Sequence, residues 1–291
     1  MKNIFVLLVG VVLSGMVSNA VFAQDVKKEV YDKVNIPFKK PIPYPDIREA
    51  DVMWSKIVWR MIDLREKANL PLIYPSKPIG ERMSLISLLL YGVDNEGLQV
   101  YDPDNDYDEF KVAMTKADID VRLDAVEKTT QVVDANNNTR DTTYKQDRQI
   151  EQVKKLLIKE KWFFDKQHST MQVRILGLCP LRVFPKVVQG QTNVEADDEA
   201  EIVMKKVFWV YYPEARNLMA SHPVFTRFND AQPISYDDLF MQRRFSGYIY
   251  QETNVFNNRR IEEYTTGVEA LLEAERIKQY LFEVEHDLWE Y

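Results

Sequence analysis

Apolar residues return every third or fourth position between Asp46 and Lys67: Ile47, Ala50, Trp54, Ile57, Val58, Met61 and Ile62. That spacing predicts a helix, with Asp46 as N-cap after Pro45 and Asn69-Leu70-Pro71 as its end. Trp54 and Trp59 fall on different faces of the segment. A shorter helix is expected over Arg82–Tyr91, stopped by Gly92. From Leu98 to Ile150 the chain turns polar and its period shortens. Residues 123–133 and 140–149 then read as two strands joined by the Asn-rich turn 135–139, a sub-lobe built as a hairpin.

Gln149–Lys161 reads as helix, and Met171–Leu178 as a strand. A polar, acidic stretch at 189–201 separates that strand from a second apolar run, Val207–Tyr212. Two such runs across a solvated connection predict an antiparallel hairpin in the core sheet. Helices follow at about Glu214–Ser221, after Pro213, and at Tyr236–Phe245, with Ser235 as cap. At the C-terminus Val268, Leu271, Leu272, Ile277, Tyr280, Leu281, Val284, Leu288 and Trp289 form one apolar stripe of a long docked helix. The order of elements predicts an α+β protein: antiparallel hairpins and a small sheet packed with several helices, including that long terminal one.

The N-terminal end follows other rules. Lys2, the apolar run Ile4–Leu13 and the small residues Val21 and Ala23 read as a secretory signal peptide over 1–23, cleaved after Ala23. Ser14, Gly15, Ser18 and Asn19 break the run before it reaches spanning length. Gln24, not Cys, follows the cleavage point, so no lipid anchor is expected there. Residues 24–45 form an arm punctuated by Pro37, Pro41, Pro43 and Pro45, which forbid helix and favour an extended path. Ile36, Phe38, Ile42 and Tyr44 on that arm are the candidate partner-interface residues. Residues 46–291 are expected to form one domain.

Composition removes function classes. With 38 Lys+Arg against 45 Asp+Glu the net charge is -7, which argues against nucleic acid as a partner. One Cys, Cys179 in an apolar context, allows no intrachain disulfide and no Cys-based zinc site. Three His and nine Gly are poor material for imidazole chemistry or phosphate-cradling loops.

Individual candidates are weak. Asp102-Pro103-Asp104-Asn105-Asp106 resembles the start of a calcium loop, but Tyr107 stands where the turn needs Gly and Ala113 where a bidentate Glu belongs. His168-Ser169 has no nucleophile elbow around it, and as strand neighbours the two would point to opposite faces. His286 has Glu290, not a second His, one turn on. His222 precedes Pro223 as a turn residue. Asp237-Asp238 suits a helix start. Arg243-Arg244 and Arg259-Arg260 lie near Glu252 and Glu262-Glu263 and read as ion-pair partners. No catalytic residue, cofactor or metal ligand is expected.

Four segments together resemble the GldN/PorN family of the type IX secretion and gliding machinery of Bacteroidetes. They are Trp54–Lys67 with Asn69–Pro75, Trp162–Ser169 running into Val173–Pro180, Gly247–Val255 with Ile261–Tyr264 and Gly267–Lys278, and the ending Glu285–Tyr291. The resemblance implies a periplasmic, non-enzymatic subunit that forms a ring under the outer membrane with the lipoprotein GldK/PorK. It also implies contact with the inner-membrane motor proteins GldL and GldM, and no membrane anchor of its own. Two rival readings stand beside it. A periplasmic hydrolase would need a concave pocket with converging carboxylates, and a soluble binding module would need a large apolar pocket.

Overall fold

A computed structural model describes residues 36, 38–80, 82–104, 109–133, 139–185, 202–225, 231 and 234–287, and no side chains over 128–142. The expected leader, the arm up to residue 35, the turn 134–138, the acidic stretch 189–201 and the terminal Trp289 lie outside those residues.

The elements run in the order β1 (Val52–Asp63), α1 (Leu70–Ile73), α2 (Leu85–Tyr91), β2 (Val100–Tyr101), α3 (Lys116–Arg122), β3 (Glu127–Val133) and β4 (Thr139–Lys145). They continue with β5 (Val153–Asp165), β6 (Thr170–Pro185), β7 (Ile202–Lys206), β8 (Trp209–Tyr211) and α4 (Tyr212–Ala220). The chain closes with β9 (Pro223–Val224), β10 (Ile234–Ser235), α5 (Tyr236–Met241), β11 (Tyr248–Glu252) and α6 (Val268–Asp287). The main sheet has seven strands in the order β11-β1-β5-β6-β8-β2, with β7 also on β6. All its pairings are antiparallel. The α+β expectation holds, and β6 and β8 pair as the hairpin reading required.

Two expected helices are strands. Val52–Asp63 of the segment 46–67 is β1, and Val153–Lys161 of the segment 149–161 is most of β5. Both lie inside the sheet and are covered on both faces, so their apolar residues do not alternate with polar ones. Val58 and Ile62 point to the helical side, while Trp59 and Met61 point to the other. A run apolar on both faces cannot be told from a buried helix by period alone. In β5 the lysines at 154, 155, 159 and 161 added helix propensity, which pairing to β1 and β6 overrides. Trp54 and Trp59 still face opposite ways: Trp59 is buried, and Trp54 is half-buried toward α6.

The helical face carries the main core. Ile62, Leu156, Ile158, Ile175, Leu178 and Val210 of the sheet meet α2, α4 and α5. Helix α2 buries Leu85, Ile86, Leu88, Leu89 and Leu90, and Ser84 caps it by accepting from the Ser87 amide at 3.2 Å. Further along the same face, Val58 and Ile249 meet Ala274, Ile277 and Leu281 of α6. Only that narrow seam of α6 is buried; Val268, Leu271, Leu272 and Tyr280, read from sequence as part of one stripe, are exposed. The opposite face of the sheet packs Trp59, Met61, Leu157, Cys179, Leu181, Trp209 and Tyr250 beneath Tyr101 and Phe110. Phe110 meets Tyr101, Trp209 and Tyr211 edge-on, and it sits directly over Gly177. A Cβ on Gly177 would lie 2.8 Å from Phe110 Cε1 and closer still to Cζ, so the lid requires glycine there.

The strands β3 and β4 form a separate two-stranded ribbon with seven registered pairs, from Glu127↔Lys145 to Val133↔Thr139. The strands are shorter at their base than the sequence reading, since 123–126 and 146–149 lie outside β3 and β4, although the Gln146 and Gln149 amides still donate to the Val126 and Leu123 carbonyls.

Candidate interaction face and buried polar clusters

The arm residues come down onto the helices α4 and α5. Arg216 of α4 forms a two-pronged ion pair with Asp237 of α5, at 2.9 and 3.0 Å, and Tyr212 donates to the same carboxylate at 2.9 Å. Burial, aided by the neighbouring Asp237, drives the Tyr212 phenol far above its usual range, so it acts as a fixed donor. Arg216 Nη2, one of the two nitrogens on Asp237, also donates to the Ile42 carbonyl at 2.6 Å. Its flat face stacks on Tyr44 with 4.3 Å to the ring centroid, and Arg174 covers the same ring at 4.8 Å. Arg174 also donates to the Pro45 carbonyl. Lys39 pairs with Asp238, and the Tyr44 hydroxyl reaches Met241 Sδ at 3.4 Å. A strap from Lys39 to Pro45 is thus held by its backbone carbonyls and one aromatic ring.

The four candidate residues divide accordingly. Ile36 is buried and Tyr44 half-buried. Phe38 and Ile42 stand out, 79% and 72% exposed. Nothing in a single sequence marks Arg174 and Arg216 as the clamp, because they lie far along the chain from Tyr44. Burial pushes the Tyr44 phenol up, against the pull of Arg216. At Asp238 burial acts upward, but Lys39 and the Ser235 hydroxyl and amide outweigh it and hold the carboxyl below its usual range. The paired acids Asp237-Asp238 therefore serve as an ion-pair anchor and a capping box on Ser235.

The other sequence candidates are engaged in structure. Asp102 and Asp104 both bind Arg122, at 2.8 and 2.7 Å, while Asp106 and Tyr107 lie outside the described residues. His168 and Ser169 sit in the β5–β6 turn, where His168 Nδ1 meets Asp165. His222 Nδ1 lies 2.9 Å from the Leu218 carbonyl in a turn. Arg243 pairs with Glu160 at 2.8 Å, not with Glu252, which instead meets Lys56 at 2.7 Å. Arg259 stacks on Phe256 and Tyr264, and Arg260 lies 3.9 Å from Glu263. Cys179 is fully buried, and burial pushes its thiol up to about 12.

Two buried clusters gave no signal in the sequence. Glu160, wholly buried, accepts from Arg60 Nε at 3.3 Å, Arg243 Nη2 at 2.8 Å and Trp162 Nε1 at 3.1 Å. On the opposite face Glu109 accepts from Trp59 Nε1 at 2.8 Å and pairs with Lys159, whose ammonium lies over the Trp59 and Phe110 rings. An open cleft of about 390 Å³ lies between β11 and the start of α6, walled by Tyr248, Ile249, Tyr250, Ile261, Ala270 and Leu271. Its single carboxylate is Glu262. Burial, with Glu262 nearby, pushes the Tyr248 phenol up to about 12. The cleft does not gather the converging carboxylates that a hydrolase reading asks for. Among the described residues no three His, Cys, Asp or Glu gather where they could hold a metal ion. No described helix is long and apolar enough to cross a membrane.

A family model described as gliding motility associated protein GldN matches residues 47–290. No curated protein matches the chain.

Proposed function

The chain belongs to the GldN family of gliding motility associated proteins, and from that premise we propose that it is a non-enzymatic structural subunit of the type IX secretion and gliding machinery. In this reading it works in the periplasm after removal of residues 1–23. It assembles with copies of itself and with a GldK/PorK-type lipoprotein into a ring under the outer membrane, and it meets the GldL/GldM-type motor from the other side. Membrane attachment comes from the lipoprotein, not from this chain.

The strap carries the reading. Its backbone is clamped by Arg174 and Arg216, while Phe38 and Ile42 are turned outward. Side chains that contribute nothing to their own core, on a segment held in place by others, suit an interface more than a fold. Ionisable groups that could do chemistry are mostly held in ion pairs and caps, which supports a scaffold over an enzyme.

The test replaces Phe38 and Ile42 together by Asp in the full chain. Thermal stability is expected to stay at the native value, because both side chains are exposed. Co-purification with the lipoprotein, and rings seen in negative-stain micrographs of native envelopes, are expected to be lost. Intact rings with the lipoprotein still bound would overturn the reading of the strap.

A further inference from the structure

Among the described residues, one inner strand of the sheet is left with part of an edge open. Along one side, β1 is paired with β5 from Val52 to Asp63. Along the other, β11 covers only Val58 to Met61. Thr253 then closes Ile57, donating its amide to the carbonyl at 3.0 Å and accepting the amide on its hydroxyl at 3.2 Å. Among the described residues nothing pairs with that side of Val52–Lys56. Open edges are normally guarded by Lys, Pro or a bulge that discourages another strand from adding. Here the register of β1 on β5 shifts once, between Val52 and Trp54, and the outward side chains are Met53, 60% exposed, and Ser55. Lys56, the only charge in the stretch, is turned to Glu252 and the Tyr280 ring. Val255 and Phe256, which follow Thr253, are exposed as well.

The same chain carries a ribbon that stands outside the main sheet. Strands β3 and β4 bond to each other and, among the described residues, to no other strand. A lone two-stranded ribbon is marginal in water. Its base is nevertheless fixed on the body: Lys145 and Arg148 both reach Asp120, and Arg148 also reaches Asp94. One strand of the ribbon, β3, contains an uncharged run of strand formers, Thr129-Thr130-Gln131-Val132-Val133. β4 instead carries Arg140 and Asp141. Five residues of open edge and five residues of uncharged strand match in length, about 17 Å each at strand rise.

We infer that β3 of one copy adds to the open edge of β1, Val52–Lys56, in the next copy. The occupant is a second copy because this chain supplies both halves, and Lys56, the one charge in either stretch, is already paired with Glu252. Backbone hydrogen bonds give the contact its strength, as in other strand additions. The two patches differ, so each copy offers one half to a neighbour and receives the other half, and repetition of that contact in one direction generates a ring or an open filament. The inference rests on the reading of the chain as a self-assembling subunit and names the joint it uses.

Cysteine pairing tests it in the full chain, since native Cys179 is buried and silent. Ser55→Cys and Gln131→Cys are made in separate preparations, mixed, and oxidised. A disulfide-linked dimer is expected in the mixture and in neither preparation alone. Independently, Met53→Lys with Ser55→Lys, both at exposed positions, is expected to abolish assembly in sedimentation while the melting temperature stays unchanged. Assemblies that form without the mixed cross-link, or a cross-link in the Ser55→Cys preparation alone, would overturn this joint and leave the subunit reading standing. A chain that sediments as a monomer at every concentration would overturn self-assembly and the joint with it.

Discussion

Replacing Glu160 by Ala strips a carboxylate from between two arginines inside the sheet. Glu160 is 0% exposed and the Arg60 side chain 9%, with Nε 3.3 Å from the carboxylate. The variant leaves Arg60 with the Gly247 carbonyl, at 3.2 Å, as its remaining partner. Removing one member of such a buried pair leaves an uncompensated charge and costs about 3–5 kcal/mol. Arg243 is different: its side chain is 33% exposed and can turn to water. Arg243→Ala is therefore expected to cost about 1 kcal/mol. Taking out both buried charges, Glu160→Leu with Arg60→Met, replaces the pair by apolar volume and is expected to cost less than Glu160→Ala alone. Urea unfolding followed by tryptophan fluorescence measures all three. With a urea m-value of about 2–3 kcal/mol/M, Glu160→Ala should lower the midpoint by about 1–2 M. A midpoint shift for Glu160→Ala no larger than for Arg243→Ala, or a double variant worse than the single one, would refute the claim that this carboxylate exists to neutralise Arg60.

Gly177→Ala should dislodge Phe110 and cost about 1–3 kcal/mol in a thermal melt; in a Phe110→Ala background the same change should cost much less. Cys179, its thiol pushed up to about 12 by burial, should not react with a disulfide reagent at pH 8 in the native protein and should react at once in urea. Tyr44→Ala removes two cation–ring contacts, each worth about 0.5–2 kcal/mol, and should raise trypsin cleavage after Lys39 about tenfold or more, with the melting temperature of the body nearly unchanged. Asp238 binds Lys39 in its charged form, so its folded pKa lies below the unfolded value. Its contribution is then present above the ordinary carboxylate range and lost as pH falls through the folded pKa. Strap cleavage should rise in strong acid with an acid-stable protease, and Lys39→Met should flatten that rise.

Local signals were readable where they depended on neighbours in sequence. Ser235 caps the helix that follows it, Pro213 sits in the first turn of α4, and Gly92 follows α2. Strand β6 and its partner β8 could be found because β-branched and aromatic residues cluster there between polar stretches. The sheet centre could not. Once Val58 and Ile62 bury on one face and Trp59 and Met61 on the other, period two disappears, and the lysines of β5 then tilt the reading toward helix. The strap was legible as prolines and stranded apolar residues, but its clamp was not, because Tyr44, Arg174 and Arg216 meet only through the fold. The Glu160 and Glu109 clusters failed to show for the same reason, since Arg60 and Arg243, and Trp59 and Lys159, lie tens of residues from the carboxylate they serve.

The pairing of β1 also sets how the protein carries load. Its hydrogen bonds to β5 run across the strand over eleven registered pairs, whereas β11 is held by four. The strap leads directly into the Val52 end of β1. Tension entering through the strap therefore pulls along the strand axis and strains the β5 pairs together, in shear. A force applied sideways would peel β11 away one pair at a time. The chain is strong in the direction its own N-terminal segment points and weak across it, and a pulling experiment with handles at residues 45 and 185 against handles at 45 and 252 would read that anisotropy as a difference in rupture force.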